Sequence, residues 1–171
     1  HQLGAKFLFY PQYESIYPDQ YKYKITENDF SQRLCGEHRP GHFDGVLTVV
    51  MKLFNICQPT HAYFGEKDFQ QLHLIKNMCD AFFMDLKIIP VPTVREENGL
   101  AMSSRNSRLS PEGRHQAALI HQTISQATSS KEATDILNKN GFQVDYVTDY
   151  LGRRFVAASI EGVRLIDNVQ I

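Results

Sequence analysis

Apolar side chains recur at helical spacing between residues 43 and 57, at Val46, Val49, Val50, Leu53 and Phe54, which predicts an amphipathic helix. Pro59 follows its end. The short apolar run Ala62-Tyr63-Phe64 predicts a strand, and Gly65 turns it. Over residues 69–83 the helical period returns, with Leu72, Ile75, Met78, Cys79 and Phe82 on the inner side. Lys87-Ile88-Ile89 predicts the next strand, interrupted by Pro90 and Pro92. A strand, a helix and a strand of these lengths make a parallel βαβ unit.

The flanks carry weaker patterns. Residues 6–10 predict a short apolar strand ended by Pro11, and Pro18-Asp19 marks a turn. Alternation over 21–26 predicts an edge strand, and Asn28 or Asp29 is placed to cap a short helix through Leu34. Arg39-Pro40-Gly41-His42 then breaks the chain. Downstream, Ser110-Pro111-Glu112 opens a helix by the N-cap and N1-proline rule, running to about residue 126. A shorter helix over 131–138 ends at Gly141. Strands over 144–151, 154–159 and 163–166 predict a small antiparallel sheet, with turns at Gly152 and Glu161-Gly162. The texture changes after Glu96-Glu97-Asn98-Gly99, so we place a boundary there, between units 1–98 and 99–171. The second unit is small enough to lean on the first.

Bulk composition removes several classes. The chain has 171 residues, 18 basic and 19 acidic, for a net charge of −1, which lacks the basic footprint of a nucleic-acid binder. No apolar run reaches the length of a membrane-spanning helix. The opening His1-Gln2-Leu3-Gly4 has neither a signal peptide's charge pattern nor an initiator methionine, and a strand candidate follows at once, as if the chain entered mid-domain. Cys35, Cys57 and Cys79 are odd in number with no CxxC pair, which fits free thiols in a reducing cytoplasm rather than a metal site.

Two clusters point to chemistry. Phe64-Gly65-Glu66-Lys67-Asp68-Phe69-Gln70-Gln71 joins a strand end, a glycine turn, a lysine and a helix start. A helix N-terminus offers unpaired N–H groups and partial positive charge to a phosphate, and Lys67 adds a mobile cation. If the helix has begun by Lys67, Gln71 shares its face. The plain alternative is a strand-to-helix turn with solvated charges. The second cluster, Met102-Ser103-Ser104-Arg105-Asn106, pairs hydroxyls with a guanidinium that binds oxygens in a fork; its plain alternative is a polar loop with turn contacts. The βαβ geometry brings both loops to the carboxyl ends of neighbouring strands, where open α/β sheets bind ligands. For His42 a helix-entry role fits better than metal ligation with His38, because Pro40 and Gly41 disfavour a continuous helix. Arg39 stays open between an anion contact and a surface charge.

Taken together, Arg39-Pro40-Gly41-His42-Phe43, the Phe64-to-Gln71 block, Val91-Pro92-Thr93-Val94-Arg95-Glu96, Gly99-Leu100-Ala101-Met102-Ser103-Ser104-Arg105-Asn106 and the ending Arg164-Leu165-Ile166-Asp167-Asn168 resemble the pantothenate synthetase (pantoate–β-alanine ligase) family across nearly the whole chain. The resemblance implies a Rossmann-like nucleotidyltransferase α/β domain followed by a small α+β C-terminal domain. It implies condensation of pantoate with β-alanine by ATP and Mg2+, in a cytoplasmic homodimer. It further implies ATP contacts at Gly65, Glu66, Lys67, Asp68, Val94, Met102, Ser103, Ser104 and Arg105, and a pantoate contact at Gln71. The family's His-x-Gly-His motif and a substrate-binding glutamine have no counterpart here, so the chain is similar to about the last two thirds of such an enzyme and is expected to be inactive by itself. Cys35 stands where many relatives carry an acidic residue.

The implied chemistry is adenylation of a carboxylate followed by amine attack on the acyl carbon. Lys67 and Arg105, aided by Ser103 and Ser104, are the expected catalytic side chains, and magnesium is expected on phosphate oxygens and water rather than in a protein cage. Residues 99–171 are expected to close as a lid about the Gly99 region. The alternatives are another adenylyl-transferring enzyme of the same superfamily and a non-catalytic nucleotide-binding fragment.

Overall fold

The computed structural model describes residues 4–171. The first three residues of the unit expected over 1–98, with the opening His1-Gln2-Leu3, lie outside this range. The fold is mixed α/β, with one parallel and one antiparallel sheet, as the hydrophobic pattern leads one to expect.

The first half is built on helices α1 (Tyr13–Ile16), α2 (Cys35–His38), α3 (His42–Cys57) and α4 (Phe69–Ala81) and strands β1 (His61–Gly65) and β2 (Lys87–Val91). β1 and β2 pair in parallel, His61 opposite Lys87 through Gly65 opposite Val91, with α4 as the crossover. β2 therefore runs through Pro90 instead of being interrupted by it. Proline is tolerated because β2 pairs on one side only among the described residues, so the missing N–H leaves no ladder bond unmade. A buried cluster of Phe43, Leu47, Phe54, Leu74, Ile75 and Met78 glues α3 to α4, and Ala62 and Phe64 of β1 pack against it.

Two expected strands are absent. Residues 6–10 and 21–26 form no strand, and Phe7, Leu8 and Tyr10 are largely exposed. A strand needs a partner edge for its backbone groups, and none lies beside these segments among the described residues. The expected short helix before Leu34 is a 3-10 turn, Phe30–Gln32. Asp29 stands at its N-cap without a side-chain capping bond, and the Glu27 carboxylate does that work instead, accepting the N–H groups of Asp29, Phe30 and Ser31 at 3.0, 3.3 and 2.6 Å. α4 stops at Ala81, two residues short of the expected end, and leaves Phe82 exposed rather than inward.

The second half holds α5 (Pro111–Ala117), α6 (Leu119–Gln126), α7 (Ser130–Lys139) and the antiparallel sheet β3 (Gln143–Tyr150), β4 (Arg153–Ile160), β5 (Val163–Gln170), in that order across the sheet. The helix expected from residue 111 to 126 is split at Ala118 into α5 and α6. Ser110 caps α5 as expected, its hydroxyl accepting the Gly113 N–H at 2.9 Å. Both hairpin turns, Leu151-Gly152 and Glu161-Gly162, have two consecutive positive φ angles, the signature of type I′ turns that match strand twist. Ile120, Ile124, Leu137, Val156, Val163 and Leu165 form a second buried cluster beneath this sheet.

Candidate functional site

The lysine loop is held by its neighbours in a particular shape. β1 ends at Gly65, the residues Glu66–Asp68 form a 3-10 turn, and α4 begins at Phe69. Lys67 thus precedes the α-helix by two residues, rather than lying inside it. Its side chain is nonetheless largely covered, with its ammonium 3.7 Å from the Asp68 carboxylate. Gln71, in the first turn of α4, lines the same cleft as Lys67. Its neighbour Gln70 also borders the cleft but is buried, its side chain taken up by protein partners: its amide donates to the Phe30 and Arg33 carbonyls at 2.7 and 2.8 Å, and its oxygen accepts the Cys35 N–H at 3.2 Å.

The serine–arginine loop is prepared by a tight reversal. Gly99, at φ +89°, closes a turn whose N–H reaches the Glu96 carbonyl at 2.9 Å. Past it the chain runs back beside itself: Glu96 N–H donates to Leu100 O at 2.8 Å and Met102 N–H to Val94 O at 2.9 Å. The sequence-distant Val94 and Met102 therefore sit side by side, both exposed. A 3-10 turn, Ser104–Arg108, follows. The Ser103 hydroxyl accepts the Arg105 N–H at 3.2 Å, a turn contact that leaves its own hydrogen free to donate. Asn106 is the strut of this loop, its amide donating to Glu96 and to the Ala101 carbonyl at 2.7 and 3.1 Å while its buried oxygen has no protein partner.

The two loops meet at one cleft of about 230 Å³, lined by both Lys67 and Arg105. Ser103 lies beside it, lining a small adjoining cavity with the same two cations. Asp68 and Gln71 also line the cleft; Gly65, Glu66, Val94, Met102 and Ser104 lie outside its lining. The walls add groups to which the pattern assigned no role in the site, Tyr146, Arg164, Asp167, Asn168 and His42, together with Arg39, which the sequence left open between an anion contact and a surface charge. His42 both begins α3 and faces the cleft, accepting or sharing a 3.1 Å contact with the Arg39 guanidinium. Burial, then the positive charges of Arg39, Arg105 and Arg164, hold its imidazole below the usual histidine range. Three guanidiniums therefore act on one point of the cleft, from three separate segments of chain.

Cys35 occupies the cleft edge, its thiol 3.0 Å from the Tyr146 hydroxyl and 3.8 Å from an Arg164 nitrogen. Burial, followed by the neighbouring thiol, pushes the Tyr146 phenol up. Beneath the cleft, the buried Asp167 carboxylate takes both arms of the Arg95 guanidinium at 2.6 and 3.0 Å. Asn168, also buried, donates its amide to the Glu66 and Lys67 carbonyls at 2.9 and 3.0 Å. These two residues of β5 tie both loops together. The only sequence signal was their place in a recognisable terminal motif; their contacts lie some seventy and a hundred residues away and leave no local period to read.

The ionic groups lining the cleft are mainly cations, and no three His, Cys, Asp or Glu side chains among the described residues converge to hold a metal. That donor set suits an anionic ligand and does not fit a protein-held divalent cation. Among the described residues, no helix is long and apolar enough to cross a membrane.

Known proteins share this fold. The chain is 62% identical over 164 residues to pantothenate synthetase of Bdellovibrio bacteriovorus, covering 96% of this chain and 65% of that protein. It is 52% identical to the enzyme of the same name from Legionella pneumophila strain Lens, covering 98% of this chain and 66% of the relative. The chain thus spans just under two thirds of the length of these curated relatives. Pantothenate synthetase from Thermus thermophilus superposes with a TM-score of 0.91 at 35% identity, over 99% of this chain and 71% of that one. Pantoate-beta-alanine ligase from Francisella tularensis, solved in complex with beta-gamma ATP and beta-alanine, superposes with a TM-score of 0.84 at 40% identity, over 92% and 61% of the two chains. The model of the pantoate-beta-alanine ligase family matches residues 1–170, and the chain belongs to that family.

Proposed function

We propose that this chain forms the lysine- and arginine-bearing part of an ATP-dependent pantoate–β-alanine ligase. The observation that carries this reading is the convergence of Lys67 and Arg105, from loops on either side of one cleft, with Gln71 between its walls. The similarity to a ligase solved with beta-gamma ATP and beta-alanine supports it.

In the first step a pantoate carboxylate oxygen attacks the α-phosphorus of ATP. A P–O bond forms, the bond to the β-phosphate oxygen breaks, and pyrophosphate leaves. Negative charge grows on the leaving group, and the ammonium of Lys67 and the guanidinium of Arg105 are placed to stabilise it, with the Ser103 and Ser104 hydroxyls assisting. Gly65, Glu66, Asp68, Val94 and Met102 are assigned to the nucleotide, and Gln71 to pantoate, whose oxygens a neutral amide binds without adding charge. In the second step the β-alanine amine attacks the acyl carbon, the acyl–oxygen bond of the mixed anhydride breaks, AMP leaves, and the amine's surplus proton passes to solvent. Magnesium enters as part of the nucleotide substrate.

A boundary near Gly99 is supported by the buried cluster built wholly from residue 100 onward. The later unit then supplies Arg105 and Arg164 to the cleft, as a closing lid would. Exposed Phe7, Leu8 and Tyr10 support a homodimer, and three unpaired cysteines support a cytoplasmic setting.

Pantoate-dependent exchange of pyrophosphate into ATP tests the reading on the complete polypeptide. Lys67→Ala is expected to slow exchange at least tenfold, about 1.4 kcal/mol of barrier or more. Exchange driven equally well by other carboxylic acids would point instead to a different acceptor. ATP binding with no coupling to pantoate would mark a non-catalytic nucleotide binder.

A further inference from the structure

We propose that Asn168 is a positioning residue for the adenylation step: its side-chain amide sets the orientation of the peptide groups on both sides of Lys67. The inference rests on the ligase reading above and adds to it a residue that acts through Lys67.

Asn168 lies near the end of β5 and is 3% exposed. Both donor hydrogens of its side chain are spent on the lysine loop. The two amide hydrogens go to two successive carbonyls, Glu66 O at 2.9 Å and Lys67 O at 3.0 Å. The amide oxygen accepts Arg153 Nε at 2.7 Å. Two acceptors on one side and an obligate donor on the other leave a single orientation of the amide, because a flipped group would face two carbonyls with an oxygen.

The consequence falls on Lys67. Fixing the carbonyls of residues 66 and 67 fixes the peptide planes on both sides of the Lys67 Cα. That sets the direction in which its side chain leaves the backbone and aims the N–H groups that open α4. A short 3-10 turn has poorer internal hydrogen bonds than an α-helix, so an outside clamp has more influence on it. The clamp is itself anchored: the Arg153 guanidinium lies 4.4 Å from the centroid of the ring of Phe69, two residues beyond the lysine. A lysine displaced by an ångström at a phosphate still binds the nucleotide through charge but loses alignment with the leaving group.

Asn168→Asp keeps the size and the partner for Arg153 but presents an acceptor to two carbonyls. In the complete polypeptide, this variant is expected to lower the saturating rate of pantoate-dependent ATP–pyrophosphate exchange at least tenfold, while the KM for ATP stays within about threefold of the parent. A merely structural role would lower the melting temperature and leave the rate per folded molecule unchanged, and that result would overturn the proposal. If Asn168→Asp does not fold, Arg153→Gln decides. It removes the guanidinium that anchors the amide oxygen and is expected to slow exchange at least threefold at saturating ATP; an unchanged rate would overturn the proposal. A parent protein with no pantoate-dependent exchange would sink the ligase reading and this inference with it. Exchange in the parent and in both folded variants alike would sink only the inference.

Discussion

Two adjacent glutamines have different duties because a helix turns about 100° per residue and gives them different neighbours. Both border the cleft, but Gln70 is buried and closes three hydrogen bonds to the segment from Phe30 to Cys35, whereas no such bond among the described residues ties down the Gln71 side chain. Replacing Gln70 by alanine strands the buried Phe30 carbonyl and the partly buried Arg33 carbonyl and Cys35 N–H, so we expect it to cost about 2 kcal/mol of stability in urea unfolding. Gln71→Ala is expected to leave stability within about 0.5 kcal/mol and to raise the KM for pantoate more than that for ATP; equal effects on both substrates would remove Gln71 from the pantoate site. His42 makes a prediction of a different kind. Burial and the charges of Arg39, Arg105 and Arg164 disfavour its imidazolium, and Asp68 opposes them only in part, so its folded pKa lies below the ordinary 6.5. Between the two values the unfolded chain binds more protons, and this residue's contribution makes stability rise with pH through that window. Below the folded pKa the loss is complete. An NMR titration of the His42 ring is expected to show its midpoint below 6.5; a midpoint above it would mean that the arginines do not converge as described.

Elements with their own hydrophobic period were legible before any contact was known. α3 and α4, the β1–β2 pair, the Ser110 cap and both glycine hairpins stand close to where pattern and turn chemistry place them. What pattern missed was decided elsewhere. Residues 6–10 have the composition of a strand but no edge to pair with. The side chain that caps the Phe30–Gln32 turn is that of Glu27, outside the usual cap set, because its longer side chain reaches forward across the turn. Lys67 and Arg105 were readable as two cationic loops expected near each other from the βαβ geometry, and both line one cleft. Asp167 and Asn168 act over distances no local window spans, so only the resemblance drew the eye to that stretch. One short element carries a sharp test. α2 packs so closely on the preceding turn that a Cβ at Gly36 would overlap the Ser31 carbonyl oxygen, which is backbone and cannot swing aside. Gly36→Ala is therefore expected to destabilise the protein by about 1–3 kcal/mol, as overpacking does. An unchanged denaturation midpoint would show that the Phe30-to-His38 segment shifts freely.

At the scale of the whole molecule, the question is what keeps the loop bearing Arg105 registered against the loop bearing Lys67. The answer lies in β5, which presents Asp167 to one and Asn168 to the other. Asp167 is 4% exposed, and its carboxylate is met by both arms of Arg95, whose guanidinium also donates to the Gly99 carbonyl at 3.1 Å. His121 stands 3.7 Å from the same carboxylate. This ion pair therefore pins the base of the tight reversal from which the serine–arginine loop departs. Arg95→Met leaves a buried carboxylate without its main partner, and removing one partner of such a pair costs about 3–5 kcal/mol. Replacing both members by Arg95→Met with Asp167→Leu removes the stranded charge, so the double variant is expected to recover much of that stability while losing the geometric tie. If the pair serves mainly to hold register, the double variant will be stable in urea unfolding and slow in pyrophosphate exchange. Parent-like exchange in that variant would show that packing of the sheet alone brings the two loops together, and that the ion pair is only a way of burying charge.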